Sequence, residues 1–193
     1  MNPFRAALLI VLLLSSSASA KTTRFVWTNS PAPAAPYTNW TTAAHILQDA
    51  VDVCANGDTV VVTNGLYAVG GRPAPGKALA NRVLVTNDIA LISVNGPKET
   101  VIQGAGPLGP AAVRCAYLTN GAVLSGFRLE NGHTLAAGGG DSTPDQHGGG
   151  LYAYNAGLAT NCLVVSNAAS RQGGGIYAYG TAVNDCRMEH NEA

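Results

Sequence analysis

A seven-residue block occurs twice near the end of the chain and constrains the fold more than any other feature. Residues 148–154 read GGGLYAY, and residues 173–179 repeat them as GGGIYAY at an offset of 25 residues. A second block, CLVVSN at residues 162–167, recurs as CRMEHN at residues 186–191, at an offset of 24 residues. A period of 24 or 25 residues predicts a solenoid, in which equivalent residues of successive coils stack on one another.

The segments before these blocks predict strands rather than helices. A weaker third copy of the repeat aligns Phe127 with Cys162 and Leu129 with Val164. Leucine-rich repeats share this period, but the sequence lacks their leucines and asparagines at fixed positions. Short β-branched segments cut by glycine and asparagine have the length of strands instead. They are residues 59–63, 82–86, 90–94, 100–103, 113–119 and 122–130.

These features together predict an all-β fold, a parallel β-helix solenoid of about five coils. Each coil would hold three short strands and their turns, and glycine at a turn permits a positive φ. Neighbouring coils would lie about 4.8 Å apart, the ordinary spacing of strands. Asn167 would then lie under Asn191, and the two amides would hydrogen-bond along the stack.

One helix is predicted ahead of the strands, capped by Thr41 or Thr42 and ended by Asn56-Gly57. A single apolar face suits a helix that covers one end of the coils. The apolar face holds Ile46, Leu47, Ala50, Val51 and Cys54, and the polar face holds His45, Gln48, Asp49 and Asp52. The predicted divisions are an N-terminal strand and proline-rich segment over residues 21–41, the capping helix over 42–56 and the β-helix over 57–193.

Residues 1–20 have the pattern of a secretory signal peptide. Arg5 gives a positive start, residues 6–14 are an unbroken apolar stretch of nine, and ASA at residues 18–20 is a small-residue cleavage site. Nine apolar residues are too few to cross a bilayer as a helix, and an uncleaved anchor is the alternative. We expect a mature chain that begins at Lys21, has no transmembrane segment and is secreted or held at a bacterial cell surface or outer membrane.

The charge balance excludes one class of partner. Lysine plus arginine equal aspartate plus glutamate at 11 each, and only 11% of the residues are charged. A chain without a basic surface cannot hold a nucleic acid backbone, so we expect no nucleic acid partner. We expect a monomer whose partners are polysaccharides or cell-surface glycans.

Motifs outside the repeats resemble one known family. They are VWTNSP at residues 26–31, NGDTV at 56–60, GLY at 65–67 and SVNGP at 93–97. With the triple-glycine and cysteine blocks, they make residues 25–193 resemble the right-handed parallel β-helix, pectin-lyase-like superfamily. Within it the chain is similar to exported bacterial repeat proteins, such as chlamydial polymorphic outer membrane proteins and autotransporter passengers. The resemblance implies a right-handed β-helix and leaves the activity open.

Enzymes of that family cut acidic polysaccharides by lysis or hydrolysis. Hydrolysis needs two carboxylates at a set separation, and lysis needs a base with calcium or a basic group. The outward positions offer Glu130 and Glu189, but Arg128 and Arg187 each lie two residues from a glutamate, and Val165 separates the two glutamates. We expect solvated ion pairs there and assign no catalytic residue.

The insertion at residues 133–147 is a candidate binding loop. It contains Asp141, Asp145 and His147, and long loops on a rigid scaffold often carry function. Asp141 and Asp145 are weak candidate ligands for calcium, which prefers oxygen donors. No other cofactor is expected, and a surface loop without a ligand is the alternative.

Four tyrosines of the repeated blocks are a candidate sugar platform. Tyr152, Tyr154, Tyr177 and Tyr179 would stack in two columns. Strand alternation predicts that one column faces outward, where aromatic rings can stack on sugar rings. The alternative is that the tyrosines only cover the core and the turn.

The cysteines have no metal-ligand spacing. Cys54, Cys115, Cys162 and Cys186 form no CxxC pair, so a zinc site is disfavoured. Cys162 stacked under Cys186 would lie close enough for a disulfide, and an exported chain can be oxidised. Free thiols in the stack are the alternative.

The sequence therefore favours an exported scaffold or passenger over an enzyme. Its role would be structural, adhesive or glycan-contacting, because the repeat carries no carboxylate cluster. The alternative is a polysaccharide lyase or glycoside hydrolase that acts on uronate polymers and has its catalytic coils outside this chain. We also expect the chain to be a fragment, because the last coil stops where the previous one continued into another triple-glycine block.

Overall fold

The computed structural model describes residues 20–138 and 143–193. In this part of the chain, one six-residue α-helix and one 3-10 turn accompany an otherwise β-stranded, almost entirely parallel architecture. The predicted all-β class is therefore confirmed. The predicted signal peptide lies outside the described residues except for Ala20.

The strands are short, as the glycine and asparagine breaks predict. In chain order they are β1 (Thr23–Val26), β2 (Thr59–Val62), β3 (Gly65–Tyr67), β4 (Arg72–Pro73), β5 (Ala80–Val85), β6 (Ala90–Ser93), β7 (Thr100–Gln103), β8 (Val113–Thr119), β9 (Val123–Ser125), β10 (Arg128–Glu130), β11 (Leu151–Tyr154), β12 (Leu158–Thr160), β13 (Leu163–Val165), β14 (Ile176–Tyr179), β15 (Ala182–Asn184) and β16 (Arg187–Glu189). The helix α1 is Leu47–Asp52, and the 3-10 turn is Pro144–Gln146.

The strands form three sheets that the chain visits in rotation. The first sheet has the order β1-β2-β6-β9-β12-β15, the second β3-β7-β10-β13-β16, and the third β4-β5-β8-β11-β14. From β2 onward the chain enters the first, second and third sheet in turn and then returns to the first. We call one such passage a circuit. Every strand pair is parallel except the short antiparallel pair of β4 with β5.

The register of the repeats is confirmed by the strand pairing. Tyr152 pairs with Tyr177 in the third sheet. In the second sheet Leu129 pairs with Val164, and Val164 pairs with Met188. The two repeat offsets therefore correspond to one circuit of the chain.

The core lies between the three sheets and is built from columns of like residues. In the first sheet, Val60, Leu91, Leu124 and Ala159 follow one another in register, and all four are fully buried. Burying one such apolar side chain stabilises a fold by roughly 1.5–3 kcal/mol before the loss of chain entropy is counted. The columns therefore supply the main stabilisation of a chain with few charges.

A pair of stacked asparagines satisfies the backbone beside the second sheet, as predicted. The Asn167 amide donates to the Asn191 side-chain oxygen at 2.9 Å and to Leu129 O at 3.0 Å. Its oxygen accepts from Gly132 N at 2.7 Å, and Asn191 donates to Val164 O at 2.9 Å. Because Asn167 is almost fully buried, these bonds replace the water that its amide would otherwise need.

The helix predicted over residues 42–56 is wrong in extent. Only Leu47–Asp52 is helical, and Ile46 at its start is extended without a side-chain cap. The reason is that Ala44 is already bonded to the first strand: its N–H donates to Phe25 O at 2.9 Å, and its carbonyl accepts from Trp27 N at 2.8 Å. Gln48, predicted on the polar face, is buried instead and bonds both backbone groups of Leu84.

The strand predicted over residues 122–130 is in fact two strands in two sheets. Gly126, with φ of +83°, separates β9 from β10. A continuous strand cannot contain that backbone angle, which glycine adopts at no steric cost. The chain turns there from the first sheet into the second.

No helix in residues 20–138 or 143–193 has the length and the apolar character needed to cross a membrane.

Candidate functional site

Aromatic rings stack along the outer side of the third sheet. Tyr117, Tyr152 and Tyr177 occupy one register position on β8, β11 and β14. Their ring centroids are 4.9 and 5.3 Å apart, with interplanar angles of 16° and 12°. Tyr154 and Tyr179 form a second stacked pair at 5.1 Å and 14°. We call these five residues the tyrosine face.

The two columns differ in exposure, although strand alternation places both on the same side of the sheet. Leu151 and Ala153, which alternate with the tyrosines in sequence, are fully buried in the core. Tyr154 and Tyr179 are 42% and 59% exposed, whereas Tyr152 is only 6% exposed. Strand alternation was predicted to turn one tyrosine column outward and the other inward. Both columns lie on the outer side instead, because residues two apart in a strand share one face.

Neighbouring groups explain the burial of Tyr152. Its ring lies between the rings of Tyr117 and Tyr177, and the guanidinium of Arg114 lies 5.2 Å from its centroid. The His147 ring stacks on Tyr177 at 4.8 Å. The tyrosine face thus has a covered column, buried at Tyr152 and half-buried at Tyr117 and Tyr177, beside an open column.

Arg114 is the fully buried centre of this arrangement. It donates to Gly148 O and Asn81 Oδ1 at 2.7 Å, to His147 O at 2.6 Å and to Pro144 O at 2.5 Å. Burial lowers the pKa of its guanidinium to about 10, although Asp145 and the nearby tyrosines oppose that shift. Arg114 is therefore still protonated at neutral pH, and its charge holds the end of the insertion against the sheet.

Two of the candidate loop residues, Asp145 and His147, lie against the tyrosine face and are buried. Asp141 lies outside the described residues. Asp145 is buried and accepts from Ala78 N at 2.9 Å, and His147 is buried between the backbone of the insertion and Tyr177. Burial is the largest cause of a lowered His147 pKa, and the charges of Arg171 and Arg114 add to it.

The chemistry around Asp145 disfavours a calcium ion at that carboxylate. The buried Arg114 guanidinium already supplies positive charge beside it, and a divalent cation would add like charge. In the described residues, no group of three or more histidine, cysteine, aspartate or glutamate side chains is placed to hold a metal ion. A calcium ligand at Asp141 stays a prediction.

Sequence reasoning missed Tyr117 and Arg114. Tyr117 belongs to the segment AYLTNGA, which aligns with LYAYNAG in the next circuit. This alignment is the sequence feature that could have identified Tyr117 as a member of the stacked column. Arg114 had no local signal, because its partners Asn81, Pro144, His147 and Gly148 lie 30 to 34 residues away in the sequence.

The outward glutamates are paired with arginines, as predicted. Arg128 contacts Glu130 at 2.5 Å, and Arg187 contacts Glu189. Strand pairing places Val165 between the two glutamates. This arrangement disfavours Glu130 and Glu189 as a catalytic pair, because each carboxylate is neutralised by its own partner.

Comparison with known proteins identifies no relative of this chain. No family model, curated protein or solved structure matches the chain. The pectin-lyase-like resemblance therefore stays a prediction from the motifs, and the functional argument depends on the site itself.

Proposed function

We propose that the chain is an exported right-handed parallel β-helix scaffold that contacts polysaccharides or cell-surface glycans through its tyrosine face. The rotation of the chain through three parallel sheets supports the β-helix. The predicted signal peptide supports export, and the repeat motifs support the resemblance to passenger proteins. Enzymatic activity is not part of the proposal.

The observation that carries the glycan role is the open column of near-parallel rings. Tyr154 and Tyr179 present exposed aromatic surface beside a rigid, covered column. Exposed aromatic surface on a soluble domain marks an interaction site. Because Tyr154 and Tyr179 stack on each other, a sugar ligand lying across them would meet their ring edges and hydroxyl groups, which offer apolar contact and hydrogen bonds.

Rigidity strengthens the argument for binding. The rings are held in register by parallel strand pairing, and the covered column is fixed by Arg114 and His147. A preformed surface loses little conformational freedom when a ligand binds, so more of the contact energy appears as affinity. A linear glycan lying across the strands would meet the open rings in succession.

Binding to a panel of polysaccharides tests the proposal. Purified protein is run by affinity electrophoresis through gels that contain neutral glucans, pectin or alginate. We expect retardation by at least one polymer and a loss of about fivefold or more in affinity for the double variant Tyr154→Ala/Tyr179→Ala, because ring contacts are worth about 0.5–1.5 kcal/mol each.

Two matched variants separate ring stacking from other causes. Tyr154→Phe/Tyr179→Phe keeps the rings and should retain most of the affinity, and Leu66→Ala removes an exposed apolar side chain from another sheet and should change nothing. Equal retardation of the wild type and the double alanine variant would contradict the proposal. Release of unsaturated or reducing ends from pectin or alginate would favour the alternative, a lyase or hydrolase.

Export is tested separately. The full chain is expressed in a bacterial host, and the N-terminus of the exported protein is sequenced. We expect the sequence to begin at Lys21. Retention of residues 1–20 on a membrane-bound product would support the uncleaved anchor instead.

A further inference from the structure

Two cysteines occupy equivalent positions on adjacent circuits. Leu163 pairs with Arg187, so Cys162 and Cys186, the residues just before them, are neighbours across the β13–β16 pair. Each thiol lies 3.2 Å from the carbonyl two residues earlier, at Thr160 and Asn184 respectively. The two side chains therefore share one orientation, and the pKa of each thiol responds to the other.

This spacing fits a covalent link between the circuits. Adjacent strands lie about 4.8 Å apart, and disulfides join residues whose Cα atoms are about 4.4–6.8 Å apart. All four cysteines of the chain are free thiols in the structure. Cys162 and Cys186 are thus a reduced pair that can be oxidised without moving the backbone far.

The two thiols differ in exposure to solvent. Cys162 is almost fully buried, and Cys186 is partly exposed. A surface groove lies beside the pair, and Cys162, Asp185 and Arg187 are among its lining residues. The difference in exposure means that a reagent in solution would reach Cys186 more readily than Cys162.

Electrostatics favours the same order. The neighbouring Cys162 thiol lowers the pKa of Cys186, against burial and the Asp185 charge, which raise it. The Cys186 thiol, together with burial, raises the pKa of Cys162. Burial raises the pKa of Cys54 to about 11 and that of Cys115 to about 12, so Cys186 is the cysteine whose thiolate is most favoured.

We propose that Cys162 and Cys186 form a redox-active dithiol that reacts with small organic disulfides, with Cys186 as the nucleophile and Cys162 as the resolving thiol. The Cys186 thiolate attacks one sulfur of the disulfide RSSR, forms a mixed disulfide and releases RS⁻. The released RS⁻ takes the proton of the Cys162 thiol, and the Cys162 sulfur then attacks Cys186 Sγ and releases the second RS⁻. One RSSR is reduced to two thiols while the pair loses two electrons and two protons to become a disulfide.

The product would link the fourth and fifth circuits. It closes a loop of 25 residues, counted from Cys162 to Cys186 inclusive, which removes entropy from the unfolded chain. We expect the melting temperature of the oxidised protein to exceed that of the reduced protein by roughly 5–10 °C. This site is independent of the tyrosine face, so glycan binding can fail while the redox proposal stands.

Native alkylation tests the reactivity of Cys186. The reduced full-length protein is treated with a limiting amount of iodoacetamide near pH 7.5, and modification at each cysteine is followed by peptide mapping. We expect Cys186 to react at least tenfold faster than Cys54, which is similarly accessible but mostly protonated. Equal rates at Cys186 and Cys54 would overturn the proposal.

Oxidised glutathione tests the two-step order. In the wild type we expect a Cys162–Cys186 disulfide, in Cys162→Ser a trapped glutathione adduct on Cys186, and in Cys186→Ser no adduct on Cys162. A stable adduct on wild-type Cys186, or first attack at Cys162, would overturn the assignment of roles. Circular dichroism melts of both serine variants establish that they are folded, and wild-type alkylation decides the outcome if either is not.

Discussion

Arg114 shows how a single charged side chain can organise a surface in a chain with few charges. It lies fully buried and reaches carbonyl groups at Pro144, His147 and Gly148. A buried charge is tolerated only when its donors are satisfied, and the planar guanidinium satisfies several acceptors at once. The covered tyrosine column depends on this contact.

Replacing Arg114 should therefore destabilise the protein more than replacing an exposed arginine. Arg114→Met leaves buried carbonyl groups without donors, and we expect it to lower the free energy of unfolding by roughly 3 kcal/mol. Arg128→Met, which breaks a partly exposed pair with Glu130, should cost less than about 1 kcal/mol. Urea denaturation measures both, and equal losses would contradict the role assigned to Arg114.

His147 gives the fold a pH dependence of known sign. Its pKa in the folded protein is below 6.5, chiefly because of burial and then because of Arg171 and Arg114. The unfolded chain therefore binds a proton at His147 more readily, and stability should fall as the pH drops through about 6.5 toward the folded pKa. His147→Phe keeps a ring on Tyr177 and should flatten the dependence between about pH 7.5 and 5.5. Identical slopes for the two proteins would argue against this.

At the scale of elements, the triple glycines are explained by contacts between circuits. A Cβ at Gly149 would collide with the backbone oxygens of Ala168 and Gly174, whereas a Cβ at Gly138 would meet nothing within 4 Å. The repeat needs glycine where one circuit's backbone lies directly against the next. The third triplet in the sequence, which begins at Gly138, is free of that contact at its first residue.

Alanine substitution distinguishes these two glycines. Gly149→Ala should lower the free energy of unfolding by about 2 kcal/mol or more, because a rigid backbone must shift. Gly138→Ala should be neutral within about 0.5 kcal/mol. Thermal melts of the two variants provide the comparison, and a neutral Gly149→Ala would rule out close packing at that position.

For the whole molecule, repetition determines how much the sequence can predict. Equivalent residues such as Val164 and Met188 could be paired in advance, because the repeated blocks state the register directly. The start of the helix could not, because Ala44 bonds to a strand almost twenty residues earlier. The contact between the insertion and the tyrosine face could not be predicted from the sequence either, because it depends on Arg114 and on burial rather than on any local motif.

The most direct test of the glycan-contacting face is ring-selective nuclear magnetic resonance. The chain has seven tyrosines, which are labelled with ¹³C in their rings and assigned by single Tyr→Phe variants. The protein is then titrated with an oligosaccharide from the polymer that binds most tightly. We predict that the ring signals of Tyr154 and Tyr179 shift most, while the buried Tyr67 stays unchanged. Binding that leaves both Tyr154 and Tyr179 unshifted would contradict the account.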